Sequence, residues 1–422
     1  MRVSAFVGGD SMKKLAIAAT TLGVIATGAH AGSIQRDSDR SQVLFEEGKN
    51  YLQFSATAVA ANIEGTDTGG SPAGALTLGR TSGNISDVFV TYSLAYKREI
   101  NDKLAFALIA NEPVGADVSY ANDPDFLNSA YFFAGSEAEV DSLAITALLK
   151  YQVTDRFSVY GGPRVQRLDG NVSLGTPFPL PGPVGPIPAP IPGINPYSLT
   201  VSPDIAWGYV LGAAFEIPDI ALRVALTYDS KIEHDFVDNN NVPFDVEIPQ
   251  ALTLHFRSGV AANTLVFGSI RWQEWTEFEV APADFLANPL NTSGIPIAFG
   301  TEDYITYELG VGRRFNENWS GAMPVGFEDG GSDPVGSLEG RDGFTSVGAS
   351  VRYSTESYDL TFGVKYFDWV HQHNNDQRQL LWQRRFCVWH SARLSLLNCD
   401  KATMSNPAVT RRGFSLRSVL YI

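Results

Sequence analysis

Residues 143–159 read LAITALLKYQVTDRFSV, two alternating segments joined by a turn, and this unit recurs along the chain. Leu143, Ile145, Ala147, Leu149, Tyr151 and Val153 share one apolar face, while Ala144, Thr146, Leu148, Lys150 and Gln152 share a more polar one. A period of two with unlike faces belongs to a β-strand lying between two different environments. Thr154-Asp155 reverses the chain, and Phe157 and Val159 resume the pattern.

The same reading predicts thirteen strands with tight turns near residues 101, 154, 218, 262, 316 and 356, every second connection being long. Short turns at one end and long loops at the other mark an outer-membrane β-barrel. In lipid every backbone group must be paired, and a sheet achieves that only by closing on itself. A soluble sandwich or propeller has no need of the long-short alternation. Single-chain bacterial barrels have even strand numbers, so the expectation is an all-β, transmembrane antiparallel β-barrel of about fourteen strands with a short N-terminal plug segment. Tyr96, Tyr151, Tyr228, Trp272, Trp319 and Tyr366 stand at strand ends, where interfacial aromatics belong.

Composition narrows the alternatives. Outside the N-terminus no run of about 18 apolar residues exists, which excludes a helical membrane protein. A net charge of −15 argues against a nucleic-acid partner. Cys387 and Cys399 are the only cysteines, so 32–369 has no disulfide framework.

The N-terminus reads as a secretory leader over 1–31, with its start at Met12, Lys13-Lys14 before the apolar core, and Ala29-His30-Ala31 as the cleavage site. Residues 32–50 read as a plug, or else as a disordered lead-in. The barrel occupies 51–369. Residues 176–196 carry nine prolines and cannot be ladder strand; they read as a stiff lid or ligand rim. Composition changes after Trp369: residues 370–422 hold eight Lys/Arg against two Asp/Glu. This tail reads as a frameshift replacing the last strand, the alternative being a genuine extension with Phe414, Leu416, Leu420 and Ile422 in a closing strand. His371, His373, Cys387, His390 and Cys399 in that tail make no convincing metal site, and no cofactor is expected.

Soluble-enzyme signatures are absent, including the nucleophile elbow, the phosphate loop and the zinc-protease helix. His255 beside Arg257 reads as pore-lining, and the His234 and Asp235–Glu247 stretch as a solvated acidic loop.

Several segments taken together resemble the FadL-like (OMPP1/TodX) outer-membrane transporters of long-chain fatty acids and hydrophobic compounds. They are VLFEEGKNYLQFS, NEPVGADVSY, YDSKIEHDF followed by VEIPQALTLHFRSGV, RWQEWTEF, YELGVGRRFNENW and GRDGFTSVGASVRY. The resemblance spans 33–369 and implies fourteen strands, an N-terminal hatch, capture of ligand by outer loops and lateral escape at a kink in the third strand. It places the kink at Pro113, Gly115 and Ala116, and the capture surface at Phe126, Leu127, Tyr131, Phe132 and Phe133 with Phe178 and Leu180. Arg164, Arg257, Arg314 and Arg352 are then the candidate inward cations for a carboxylate head group. The chain lacks the family's Asn-Pro-Ala hatch motif.

The expected function is passive transport of long-chain fatty acids or other hydrophobic small molecules across the bacterial outer membrane by a monomer, with surrounding lipid as the other partner. The rivals are a structural or adhesive barrel and, behind it, a lipid-acting barrel enzyme.

Overall fold

The computed structural model describes residues 34–37, 39–67, 79–120, 134–174, 197–288, 291, 294–329 and 343–369, together with the backbone of 380–397. The leader 1–31 lies outside these residues, as do the proline-rich segment and the tail beyond 397.

Fifteen strand segments form one antiparallel sheet. They are β1 (Asn50–Asp67), β2 (Phe89–Asn101), β3 (Leu104–Asn111), β4 (Ala116–Ser119), β5 (Glu137–Gln152), β6 (Phe157–Leu174), β7 (Tyr197–Ile217) and β8 (Leu222–Asp229), then, after an inserted hairpin, a second run. The hairpin is β9 (Ile232–Val237) and β10 (Pro243–Ile248). The second run is β11 (Ala251–Ala261), β12 (Thr264–Gln273), β15 (Tyr304–Arg314), β16 (Trp319–Glu328), β17 (Phe344–Ser354), β18 (Tyr358–Trp369) and β19 (Leu380–Leu397), with a two-residue ribbon, β13 (Glu279–Val280) and β14 (Ala298–Phe299), in one loop. β3 and β4 are two halves of one crossing, so the fifteen segments make a fourteen-stranded wall. β19 pairs with both β1 and β18, and β3 pairs with β5, which closes the ring.

Apart from the closing β1–β19 pair, each wall strand pairs with the wall strand before or after it along the chain. The turn at 262–263 places Asn263 at φ 57°, a left-handed conformation that asparagine tolerates better than most residues. The alternation now has its physical meaning. On β5, Leu143, Ile145, Leu149 and Tyr151 stand exposed on the outside, whereas Ala144, Thr146 and Leu148 are buried within. The same outward apolar rows recur on β7 (Ile205, Trp207, Tyr209, Leu211) and β15 (Ile305, Tyr307, Leu309, Val311). These rows face the hydrocarbon of a bilayer.

Three elements depart from the sequence expectation. The run 265–278 is not one strand: β12 stops at Gln273, and Trp275 and Phe278 turn inward, their rings 5.5 Å apart edge to face. The 231–249 stretch, read as a loop, is the β9–β10 hairpin. The strand that closes the barrel is Leu380–Leu397, inside the compositionally distinct tail, while 414–422 lies outside the described residues.

The lumen is filled. Residues 34–49 run inside the barrel, and the short 3-10 turn Ser41–Phe45 buries Val43, Leu44 and Phe45 near the tight-turn end. Phe45 sits edge-on to Tyr160 at 5.6 Å, with Arg223 and Lys150 over its ring at 4.4 and 4.6 Å. Lys97 Nζ donates to the carbonyls of Glu46 and Gly48 at 2.9 and 2.8 Å. Such contacts tie the plug to four wall strands, β2, β5, β6 and β8, at once.

Just past that turn, burial, with Glu46 alongside, pushes the Glu47 carboxyl from its ordinary 4.5 up to about 7, against the pull of Arg257 and Arg352. A carboxyl raised in the folded state holds its proton more tightly there than when unfolded. The resulting stability is complete below about 4.5 and is lost as pH rises through 7. Glu47→Gln should therefore flatten the fall in melting temperature between pH 5 and 8. A parallel pH dependence in the two proteins would count against the plug's burial of this carboxyl.

Candidate functional site

The third crossing is interrupted where the sequence places proline and glycine. β2 and β3 pair up to Ser93 and Asn111, and pairing resumes above, where the Asp87 N–H donates to the Asp117 carbonyl and Ser86 bridges Val118. Between these points 88–92 and 112–116 form no ladder bridge, although the Glu112 carboxylate accepts a hydrogen bond from the Tyr92 N–H, and this break is a window in the wall. Pro113 brings no N–H to a ladder, which removes one donor that lipid would leave orphaned.

The remaining kink groups are satisfied from inside. Val114 N–H donates to Ser142 Oγ at 3.0 Å, and the Ser142 hydroxyl donates back to the Val114 carbonyl. The plug's first described residues supply the rest. Gly115 N–H donates to the Ile34 carbonyl at 2.6 Å, and Arg36 N–H donates to the Pro113 carbonyl at 2.9 Å. Gln35 forms an antiparallel bridge with Val114.

Beside the window, at the long-loop end, lies a cavity of about 100 Å³. Val114 and Ala116 at the break, Ile34 from the plug, and Val140 and Leu168 from the wall form its sides. Phe236, Phe244, Val246 and Ile248 roof it, with Phe278, Val280 and Ile297 from the 274–303 loop. The roof hairpin folds inward because β9 lies on the inner face of β7. Gly208 leaves the space: a Cβ there would stand 2.7 Å from the Ile232 side chain. Tyr209 N–H also donates to Ser230 Oγ at 2.9 Å, anchoring the hairpin's root.

Among the described lining residues Asp169 alone is ionisable, and Arg167 pairs with it at 3.0 Å. The cavity is thus an apolar, nearly chargeless compartment. His234 sits on the inner face of the hairpin, fully buried, with Nδ1 2.9 Å from Asp204 Oδ2. Burial pushes this imidazole below its ordinary 6.5, against the pull of Asp204, so it is neutral at pH 7.

Below the cavity the lumen turns polar. Arg164 Nη2 meets Asp229 Oδ1 at 2.8 Å, and Arg271 Nη1 donates to Thr253 Oγ1 at 2.7 Å. Asn111 Nδ2 donates to Asp37 Oδ2 at 2.7 Å, and His255 Nε2 lies 3.1 Å from Asp39 Oδ2. An uncharged apolar molecule gains nothing by descending into this layer, which the plug fills.

Pro113, Gly115 and Ala116 therefore lie together at the wall break. Of the four arginines, Arg164, Arg257 and Arg352 are on the lumen side, but none lines the cavity. Arg164 pairs with Asp229, Arg352 with Asp359, and Arg257 is buried beside the plug. The structure places Arg314 elsewhere, at the 315–318 turn, where it donates to the Asn316 and Glu317 carbonyls at 3.0 and 3.2 Å. A strand-end arginine folded over its own turn cannot reach the lumen. Phe126, Leu127, Tyr131, Phe132, Phe133, Phe178 and Leu180 lie outside the described residues. The roof was missed in the sequence, although Ile232-x-His234-x-Phe236 and Phe244-x-Val246-x-Ile248 alternate around an Asn-rich turn, the signal that reveals it.

Fold and site together define a β-barrel transporter of the bacterial outer membrane that handles hydrophobic compounds. Residues 43–323 match the family described as outer membrane protein transport protein (OMPP1/FadL/TodX), and the chain belongs to that family. Among solved structures it resembles a Pseudomonas aeruginosa FadL homologue (17% identity, TM-score 0.59, 90% of this chain and 97% of the other). It also resembles the Pseudomonas putida toluene transporter TodX (13%, 0.55, 88% and 96%). The Ralstonia pickettii toluene transporter TbuX is similar to the same degree (13%, 0.56, 88% and 97%). At these identities the likeness speaks for the fold. No curated protein matches by sequence. The family and its structural neighbours are transport channels, not enzymes.

Proposed function

We propose that this barrel, as a monomer, passes hydrophobic small molecules passively from the outer-loop side into the apolar cavity and out sideways through the wall window into membrane lipid. One observation carries the reading. The apolar cavity is bounded by Val114 and Ala116 of the wall break on one side and by the charged, plug-filled layer below. The sideways route passes the Arg36–Asp117 pair at the break and then enters lipid, whereas the downward route runs through the charged, plug-filled layer.

Within the hydrophobic range, the lining favours uncharged ligands over fatty acids. Burying a carboxylate without a cation costs several kcal/mol, and no arginine or lysine lines the cavity among the described residues. Its volume approaches that of an engineered apolar cavity of ~150 Å³ that holds benzene. Each buried CH₂ contributes about 0.8 kcal/mol, so a seven-carbon hydrocarbon binds weakly enough to leave again. Two of the structural neighbours, TodX and TbuX, are toluene transporters, which agrees with this size.

The test is calorimetric binding to the purified barrel of toluene, of benzoate (the same ring bearing a carboxylate) and of a long-chain fatty acid. Saturable binding of toluene with none of benzoate is expected. Equal or tighter binding of the two acids would overturn the preference for neutral ligands.

A further inference from the structure

We infer that Arg36 is the bolt of the wall window: its guanidinium, carried by the plug, fills the break in the third crossing and sets the rate at which the window opens. The inference rests on the lateral route proposed above and adds the residue that controls it.

Arg36 belongs to the lumen side by its backbone, which hydrogen-bonds to Pro113. Its side chain nevertheless reaches carboxylates of the wall itself. Nη2 is paired with Asp117 on β4, and Nη1 lies 3.9 Å from Asp141 on β5, whose side chain is 61% exposed on the outer face. The cation crosses the wall from inside to outside. Its third contact is the Phe89 ring on the opposite edge of the window, 4.7 Å from Cζ to the centroid. One side chain thus touches both edges of the break, β2 on one side and β4–β5 on the other.

Gly115 explains how it fits. A Cβ at that position would run into the Arg36 guanidinium, so the glycine supplies the passage that the cation occupies. The side chain is only 6% exposed although it stands in a hole in the wall, because it fills that hole. Opening the window means withdrawing a cation from its carboxylate partners and removing the residue 34–37 strand from the kink. Withdrawal also takes Ile34 off the cavity wall and joins cavity to window. A wholly apolar plug would leave the same backbone bonds but lack this electrostatic hold. Charge-assisted pairs are the stronger kind, so the cation and not the short strand sets the barrier.

The test reads exit of radiolabelled toluene from the barrel into liposome lipid, alongside equilibrium binding. Arg36→Gln should speed exit roughly tenfold, the scale of one lost charge-assisted contact, while the binding constant stays unchanged. Arg36→Lys, which keeps the charge, should restore slow exit, and so should Arg36→Asp combined with Asp117→Arg. A merely structural role would move binding and exit together and would show no rescue by charge. As an independent check, Gln35→Cys with Val114→Cys in a Cys387→Ser/Cys399→Ser background pairs two residues already bridged, within disulfide reach. Oxidation should cut exit at least tenfold, and reductant should restore it. If the unaltered barrel fails to bind toluene, the transport reading falls. If it binds normally but exit ignores both Arg36 and the tether, the bolt alone falls.

Discussion

Val246→Asp should abolish saturable hydrocarbon binding while leaving the barrel folded. Val246 is buried on the inner face of the roof hairpin, opposite His234 in the β9–β10 register, and lines the cavity directly. An aspartate there either ionises against an apolar wall or swings the hairpin away to reach water. An unpaired charge in such a place costs several kcal/mol, so affinity falls more than tenfold by either route. The hairpin forms its own two-stranded sheet, separate from the wall ladder, which is why the fold survives. Val246→Leu, close in volume, should bind within a few-fold of the unaltered protein. Toluene calorimetry on both variants, with heat-modifiable gel mobility as the check on folding, decides the matter. Intact binding by the aspartate variant would mean that the cavity is not where the ligand sits.

The second large effect is on stability. Lys365 on β18 and Glu308 on β15 meet at 2.6 Å on the lumen side of the wall, both nearly fully buried. Lys365→Met leaves Glu308 buried without its cation, a change that costs ~3–5 kcal/mol in comparable pairs. Lys365→Met/Glu308→Leu removes both charges and should recover most of that loss, because the penalty belongs to the orphaned carboxylate and not to the absent bond. Urea unfolding in detergent micelles measures both. A single variant as stable as the parent would show that water reaches this part of the lumen. The pair also links strands that the ladder does not, since β16 and β17 lie between β15 and β18 in the wall.

Much of the site was legible at the level of residue type. Pro113 and Gly115 point to the break in the third crossing because proline removes a ladder donor and glycine permits the distortion. Arg164, Arg257 and Arg352 lie on the lumen side as their alternation required. Their partners were hidden, since Asp229, the Glu46-Glu47 pair and Asp359 belong to other strands or to the plug. Asp229 on another strand gives no sign in the sequence that it will neutralise Arg164, and so the cations looked available for a ligand head group. Arg314 went astray for a local reason. It follows the inward parity of β15, but it is the last residue before a turn, and its side chain bonds to that turn's carbonyls.

What the sequence determined by itself is the kind of object this is: a closed antiparallel wall, lipid outside, with tight turns at one end. Period-two alternation decides which face of Leu143–Val153 meets hydrocarbon, and alternating connection length decides which end carries the loops. Both are properties of consecutive residues. Tertiary structure alone decided that Leu380–Leu397 is the closing strand, that β9–β10 folds inward as a roof, and that residues 34–37 complete the kinked crossing from within. Each of these is a choice of partner between distant segments. Alternation gives every strand two usable edges and says nothing about which edge another strand will take. The choice falls to closure, which pairs strand edges that lipid would leave orphaned, and at the break in the third crossing the Arg36 guanidinium stands between the two edges.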